Sequence, residues 1–425
     1  MPTVAPRAAS LDDAVQRAAT LDAADPLAAF VGRFQPSADD SLRAYLDGNS
    51  LGRPPLETAR AMERFVRLGW GTRLIQGWTD EWMDWPTTLG DELGAVALGA
   101  APGQTVIADS TSVLLYKLAR AALTSVPQRT EIVVDTDNFP TDRYLMEGIA
   151  AELGLSLRWV ETDPTSGVTP DLVATALGPG TALFVGSHVA YRSGYVADVP
   201  AINHLVHSAG GRVLWDLSHS VGSVPVQLDD WEVDFAVGCG YKYLNGGPGA
   251  PAFGYVQNAL QESAQQPIQG WMGHARPFAM GPGYEAARGI RAFLTGTPPI
   301  LGMVPLRVGI ALLGEAGIDR VRAKSLALTD FALSLIDAWL VPQGVRLGSP
   351  REHIHRGGHL TISRAGFDQV NAQLWQRGII PDYRAPDGIR LGLSPLSTTF
   401  SEVVVALTEL TSLLAEAASD ERRED

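Results

Sequence analysis

The chain has 425 residues, 45% of them hydrophobic and 19% charged, and its 33 basic against 47 acidic side chains leave a net charge of −14. That length exceeds one compact core and suits two or three domains, while the charge counts against a phosphate-neutralising nucleic-acid surface or a polybasic membrane anchor. With Cys239 as the only cysteine, intrachain disulfides and thiolate metal clusters are excluded as well.

No uninterrupted apolar run is long enough for a membrane span, and the N-terminal stretch MPTVAPRAASLDDAVQRAATLDAADPL has no apolar leader core and carries acids unsuited to a transit peptide. The expectation is a soluble, cytoplasmic protein. Residues 10 to 32 read as a helix. LDGNSLGRPP (46–55) is a loop whose proline pair opens a helix to about Leu68. Trp70, Trp78, Trp82 and Trp85 crowd the next stretch, as a packed cap over the core or as a ligand lining.

From residue 90 strands and helices alternate. TVIAD (105–109), EIVVD (131–135), LSLRWV (155–160), TALFVGS (181–187), GRVLWDLSH (211–219), VDFAVGCG (233–240) and GAPAFGYV (249–256) read as strands. Helical stretches follow Asp109 and occupy 142–153, 170–177 and 199–209. This pattern predicts an α/β domain with a mainly parallel seven-stranded sheet covered on both faces, where ligands gather at the carboxyl ends of strands. After Pro299 come one or two long helices (303–341), the strand LTIS (360–363), a helix at 367–377, GIRLGLSP (388–395) and a helix at 400–418, with a frayed ERRED tail. The expected organisation is an N-terminal segment (1–55) packing with a smaller α+β domain (299–425), and a large domain over 56–298.

Only three of the 33 basic residues are lysines: Lys117, Lys242 and Lys324. Lys242 lies between a buried-looking strand and the Gly-rich turn LNGGPG (244–249). A lysine there is costly unless its charge is relieved, either by forming an imine with a carbonyl cofactor or by snorkelling or pairing at the strand end. Asp216 closes the strand VLWD, a position suited to pairing with a protonated pyridine nitrogen. Asp109-Ser110-Thr111-Ser112 joins a strand to a helix, and its hydroxyls and N–H groups suit either a helix cap or a phosphate. Phe139, after EIVVD, can stack on an aromatic ring. Dinucleotide and P-loop glycine patterns are missing.

Together with LDGNSLG (46–52), FPTDRY (139–144), WDLSHSVG (215–222), WEVDFAVGCGYKYLNGGPG (231–249), GWMGH (270–274), TPPI (297–300) and GIRLGLSPL (388–396), these residues resemble the kynureninase family, pyridoxal-phosphate hydrolases of the class V aminotransferase group. The resemblance spans nearly the whole chain. It implies the fold type I architecture of pyridoxal-phosphate-dependent transferases. It implies hydrolytic Cβ–Cγ cleavage of L-kynurenine to anthranilate and L-alanine in tryptophan catabolism, with pyridoxal 5′-phosphate as cofactor and a homodimer as assembly. Another reaction of the same class, β-elimination or transamination of a different amino acid, is the alternative.

By the same resemblance Lys242 forms the Schiff base and Asp216 pairs with the pyridine nitrogen. His219 lies close, Phe139 stacks with Asp142 beside it, and Thr111, Ser112, Ser187 and Tyr241 form the cofactor and phosphate shell. Tyr241 can also carry a proton. Trp271 and Thr297 reach the phosphate from the neighbouring subunit. Arg390 grips the substrate carboxylate, a task that suits a bidentate guanidinium, and Asn49 and Trp78 also contact substrate. Thr297 stands where animal enzymes have Asn and Trp78 where they have His, which implies a preference for kynurenine over its 3-hydroxy form. His353, His355 and His359 alternate as a zinc site can, but no carboxylate or cysteine completes the set, so no metal is expected. Cys239 is expected to be a small buried residue. Lys117, inside a helix, and Lys324, on a charged one, are poor Schiff-base candidates.

Overall fold

The structure is a computed structural model that describes residues 10–38 and 41–424. Residues 1–9, where the N-terminal leader reading begins, and Asp425 of the ERRED tail lie outside the described residues.

Seven strands form one sheet: β1 (Thr105–Ala108), β2 (Glu131–Asp135), β3 (Ser156–Val160), β4 (Thr181–Ser187), β5 (Arg212–Asp216), β6 (Phe235–Cys239) and β7 (Ala252–Val256). Their spatial order is β1-β7-β6-β5-β4-β2-β3, and only β7 runs antiparallel to its neighbours. The central strands are apolar on both faces because both faces are covered. Ile132, Val134, Leu214 and Val237 face helices Thr111–Thr124 and Pro140–Leu153. Val133, Val213, Trp215 and Ala236 face helices Val199–Ser208 and Ile300–Ala316. Since β1 to β6 run the same way, Asp109, Asp135, Ser187, Asp216 and the turn holding Lys242 all emerge at one edge.

A second core surrounds a four-stranded antiparallel sheet of β8 (Arg346–Leu347), β9 (His359–Ser363), β10 (Asp382–Arg384) and β11 (Gly388–Gly392), in the order β10-β11-β9-β8. Helices Ile318–Leu335, Phe367–Gln376 and Phe400–Glu424 bury their apolar sides there, together with Ala14 and Ala18 of helix Leu11–Ala24. Leu27, Phe30 and Phe34 join the core of the large sheet instead.

Several elements depart from expectation. The 10–32 helix breaks at Asp25 and Pro26, because a proline cannot donate to the preceding turn. The 56–68 helix is α-helical only over Leu56–Arg64 and widens into π turns through Trp70. The strand expected over 211–219 stops at Asp216, where the backbone turns to place Ser218 N–H on the Asp216 carboxylate. The last helix continues to Glu424 where fraying was expected. Among the described residues one helical run, Ile318–Gln343, is long and apolar enough by length and composition to cross a membrane, although Asp330 and Asp337 interrupt its apolar sequence. Half of its most apolar window is buried inside the fold, as befits a core helix. His353–His355 forms a 3₁₀ turn, and His353 pairs with Asp330 at 2.8 Å, so the two histidines do not alternate along one strand face.

Candidate active site

The three lysines are all buried, but in different company. Lys117 Nζ lies 2.9 Å from Asp109 Oδ2, and Lys324 Nζ lies 2.7 Å from Asp25 Oδ2. Lys324 is therefore a core residue rather than part of a charged face, since its carboxylate partner arrives from a distant segment. Lys242 has no carboxylate at ion-pair distance among the described residues, and its Nζ faces His219 Nε2 at 3.3 Å. The Phe139 ring lies 5.9 Å and the Tyr241 ring 5.8 Å from the same amine.

Near this amine stand carboxyl groups that burial pushes above the usual carboxylate range. Asp142 is pushed well above the usual carboxylate range by burial and then by Asp216 and Asp135, and its Oδ2 has no hydrogen-bond partner. Asp135 is pushed up to about 7 by burial. Asp216 is also raised by burial, against the opposing pull of the Lys242 charge and the Ser218 N–H at 2.7 Å. His219 is driven well below its ordinary value by burial and then by the Lys242 charge, so its ring is neutral. Burial raises the Tyr241 hydroxyl, which stays protonated. Ser187 Oγ donates to Asn138 Oδ1 at 2.7 Å, and Asn138 Nδ2 is left without a partner. Cys239 is buried, its thiol 3.8 Å from the Ser218 carbonyl and also beside the Tyr241 hydroxyl.

Helix Thr111–Thr124 begins beside this edge. Ser110 sits at its cap position in extended backbone but makes no capping hydrogen bond. The first N–H groups and the hydroxyls of Thr111 and Ser112 therefore stay available, and of the two readings of the Asp-Ser-Thr-Ser stretch the cap is not used.

The N-terminal loop closes over the same turn. Gly52 N–H donates to the Tyr241 carbonyl at 2.9 Å, and a Cβ on Gly52 would collide with the Lys242 carbonyl. Asn49, in that loop, is fully buried with both amide atoms unpartnered, lying so close to Gly392 that no side chain fits there. Ser50 Oγ accepts from Arg390 at 2.9 Å. Arg390 is itself 1% exposed; its Nε donates to Asp382 at 2.6 Å, and another of its nitrogens donates to the Tyr191 carbonyl at 2.7 Å. Thus the guanidinium is fixed by groups from three segments.

Trp78, Trp271 and Thr297 are not brought to this cluster within the chain. Trp78 packs edge-on against Trp82 at 5.5 Å and lines a cavity of about 290 Å³ with Phe65, Trp70 and Pro298. Trp271 is exposed against Phe278, and Thr297 is exposed. A cavity of about 760 Å³ between helices Leu56–Arg64 and Ile300–Ala316 contains none of the candidate residues.

The sequence reading missed Asp382, Tyr191 and His359 as parts of the site. Asp382 faces Arg390 directly across the β10–β11 pair, and the turn residues Ala385-Pro386-Asp387-Gly388 between them were the available signal. Tyr191 stacks edge-on with Phe139 at 5.3 Å, and His359 lies 5.6 Å from His219, ring to ring. Neither has a local motif, because both arrive through long-range packing.

A family model described as the kynureninase C-terminal domain matches residues 321–410. A kynureninase of Pseudomonas fluorescens is 40% identical over 401 residues, covering 93% of this chain and 94% of its own. One from Burkholderia pseudomallei is 41% identical over 406 residues, covering 94% and 95%. Among solved structures, a cysteine desulfurase from Thermococcus onnurineus superposes with a TM-score of 0.75 at 20% identity, covering 88% of this chain and 95% of that one. The cystine C–S lyase C-DES superposes at 0.76 and 20%, covering 88% and 98%; these two likenesses show a shared fold. Identity near 40% along almost the entire length of both sequences shows that this chain belongs to the kynureninase family.

Proposed function

We propose that the chain hydrolyses L-kynurenine between Cβ and Cγ, consuming one water and releasing anthranilate and L-alanine, with pyridoxal 5′-phosphate as its cofactor. The residues suit that cofactor. Lys242 is a buried amine without a carboxylate partner, Asp216 is a buried carboxyl at a strand end that suits a cationic N–H, the 111–124 helix start is uncapped, and Asn138 Nδ2 and Asp142 Oδ2 are buried without partners. When bound, pyridoxal 5′-phosphate supplies a carbonyl for amines and a ring that withdraws electrons from the bond being cleaved.

Lys242 Nζ is the group to hold the cofactor and, once released, to take and return the substrate Cα proton. His219, neutral, orients that amine through its 3.3 Å contact without competing for protons. Phe139 supplies a stacking face, and Thr111, Ser112 and Ser187 supply hydroxyls for the phosphate end. Arg390, held in place by Asp382 and the Tyr191 carbonyl, binds the substrate carboxylate, with Asn49 and Ser50 beside it. The protonated Tyr241 hydroxyl can deliver a proton where water adds to the γ-carbonyl.

The arrangement works as a homodimer. Trp70, Ile75, Phe278 and Met280 are all more than half exposed and lie on the segments that carry Trp78, Trp271 and Thr297. An apolar face of this kind is suited to a second copy, which would bring Trp271 and Thr297 to its neighbour's phosphate and Trp78 to its substrate ring. A preference for kynurenine over 3-hydroxykynurenine belongs with that assembly and is read from the ratio of kcat/KM for the two substrates. The observation carrying the function is the unpaired Lys242 amine among Asp216, His219 and Phe139. The test is anthranilate fluorescence on incubation with L-kynurenine, combined with borohydride trapping and peptide mapping. Label away from residue 242, or kynurenine left intact by a yellow, cofactor-loaded protein, would overturn it and favour elimination or transamination.

A further inference from the structure

Lys117 takes no part in that mechanism, yet it is fully buried in the second turn of the 111–124 helix. Its ammonium donates to Asp109 Oδ2 at 2.9 Å and to the Phe293 carbonyl. Thr295 Oγ1 donates to the same Asp109 carboxylate at 3.3 Å. Asp109 itself stands at φ 48°, in the left-handed region that residues with a Cβ seldom occupy and that Asp tolerates better than most. One buried cation therefore ties three pieces together: the left-handed residue leading into the helix, the helix itself, and the 293–295 segment that runs on to Thr297. Burying an ion pair is a poor way to stabilise a fold compared with apolar packing, so its presence calls for a geometric role. Of the other 32 basic residues, 30 are arginines. A lysine here delivers a compact point charge between two oxygens, where a guanidinium would need a wider, planar site.

We propose that Lys117 is a positioning residue for the phosphate of the cofactor. By clamping Asp109 to the Phe293 carbonyl, it holds the backbone of 109–112 so that the uncapped N–H groups and the Thr111 and Ser112 hydroxyls are preset for a phosphoryl group. This rests on the reading that the chain binds pyridoxal 5′-phosphate at this helix start.

The test compares the binding of pyridoxal 5′-phosphate and of unphosphorylated pyridoxal to the full-length apoprotein, followed by absorbance. In the parent protein the phosphate should tighten binding strongly. In Lys117→Met the affinity for pyridoxal 5′-phosphate should fall at least tenfold while that for pyridoxal changes less than threefold. The double variant Lys117→Met/Asp109→Asn, which leaves no buried unpaired carboxylate, should lose the phosphate preference in the same way. If the parent protein shows no preference for the phosphorylated ligand, the cofactor reading fails. If the parent shows it and both variants keep it, or both lose the two ligands equally, the positioning role is overturned. Failure of both variants to fold overturns it too, since Lys117 would then serve the fold alone.

Discussion

Two regions carry the residues that the sequence nominated, and they are built in opposite ways. At the carboxyl edge of the large sheet, Lys242, Asp216, His219, Phe139 and Asp142 lie together, Lys242, Asp216, His219 and Asp142 being buried, and burial raises the two carboxyl groups and lowers the His219 ring. On the face formed by 65–82 and 271–301, Trp78, Trp271 and Thr297 stand among exposed apolar side chains. The first region needs strand-end geometry, which a single chain supplies. The second presents side chains that its own chain covers only in part, so its contribution depends on what else covers it.

The sharpest way to break this contrast is Lys242→Ala. Turnover should fall at least about 10³-fold, because proton transfer and cofactor attachment leave together, while Tm stays nearly unchanged since no carboxylate loses an ion-pair partner. A residual rate within tenfold of the parent would remove Lys242 from the chemistry.

Arg390→Leu comes next. Loss of a charge-assisted carboxylate contact should raise KM by about 100-fold, equivalent to about 2.7 kcal/mol, with a smaller change in kcat. It should also lower stability, because Asp382 would stay behind with only Arg384 as a partner, at 2.9 Å. An unchanged KM would mean that the guanidinium serves the fold alone.

Ile75→Asp probes the exposed face. A charge at this residue, 77% exposed in the single chain, costs the monomer little, so circular dichroism should be unaltered. Sedimentation should shift towards a monomer, and kcat/KM should drop about tenfold as the cross-subunit contacts go. A variant that sediments and turns over like the parent would end the role given to that face.

The smallest effect concerns acid. Burial and nearby positive charge drive His359 down to about 3 from its ordinary 6.5. Between those values the unfolded chain takes up a proton that the folded chain refuses, so stability is lost as pH falls through this window. Asp47, held at about 6, and Asp135, at about 7, act the other way, since the folded chain keeps their protons after the unfolded chain has released them. Replacing His359 by Gln should therefore flatten the acid side of the stability profile by about 1.4 kcal/mol per pH unit. Parallel profiles from chemical denaturation of parent and variant would show that the ring titrates freely.

Local pattern was enough to find β1 to β7, because strands covered on both faces are continuous apolar runs, and to find Lys242 and Asp216 at strand ends. It did not reveal that Lys324 is a core residue, since its partner Asp25 is some 300 positions away along the chain. Nor did it anticipate Asp382, whose pairing depends on strand register, or His359, whose significance comes from lying beside His219.

Residue order alone established the α/β alternation, the shortlist of three lysines and the family resemblance, because periodicity, rarity and motif are properties of a one-dimensional string. Which lysine is left without a carboxylate, which carboxyl groups burial raises and which aromatic side chains stay exposed were decided only by folding. Burial and charge pairing are distances between segments remote in the chain, and those distances exist only once the sheets have closed.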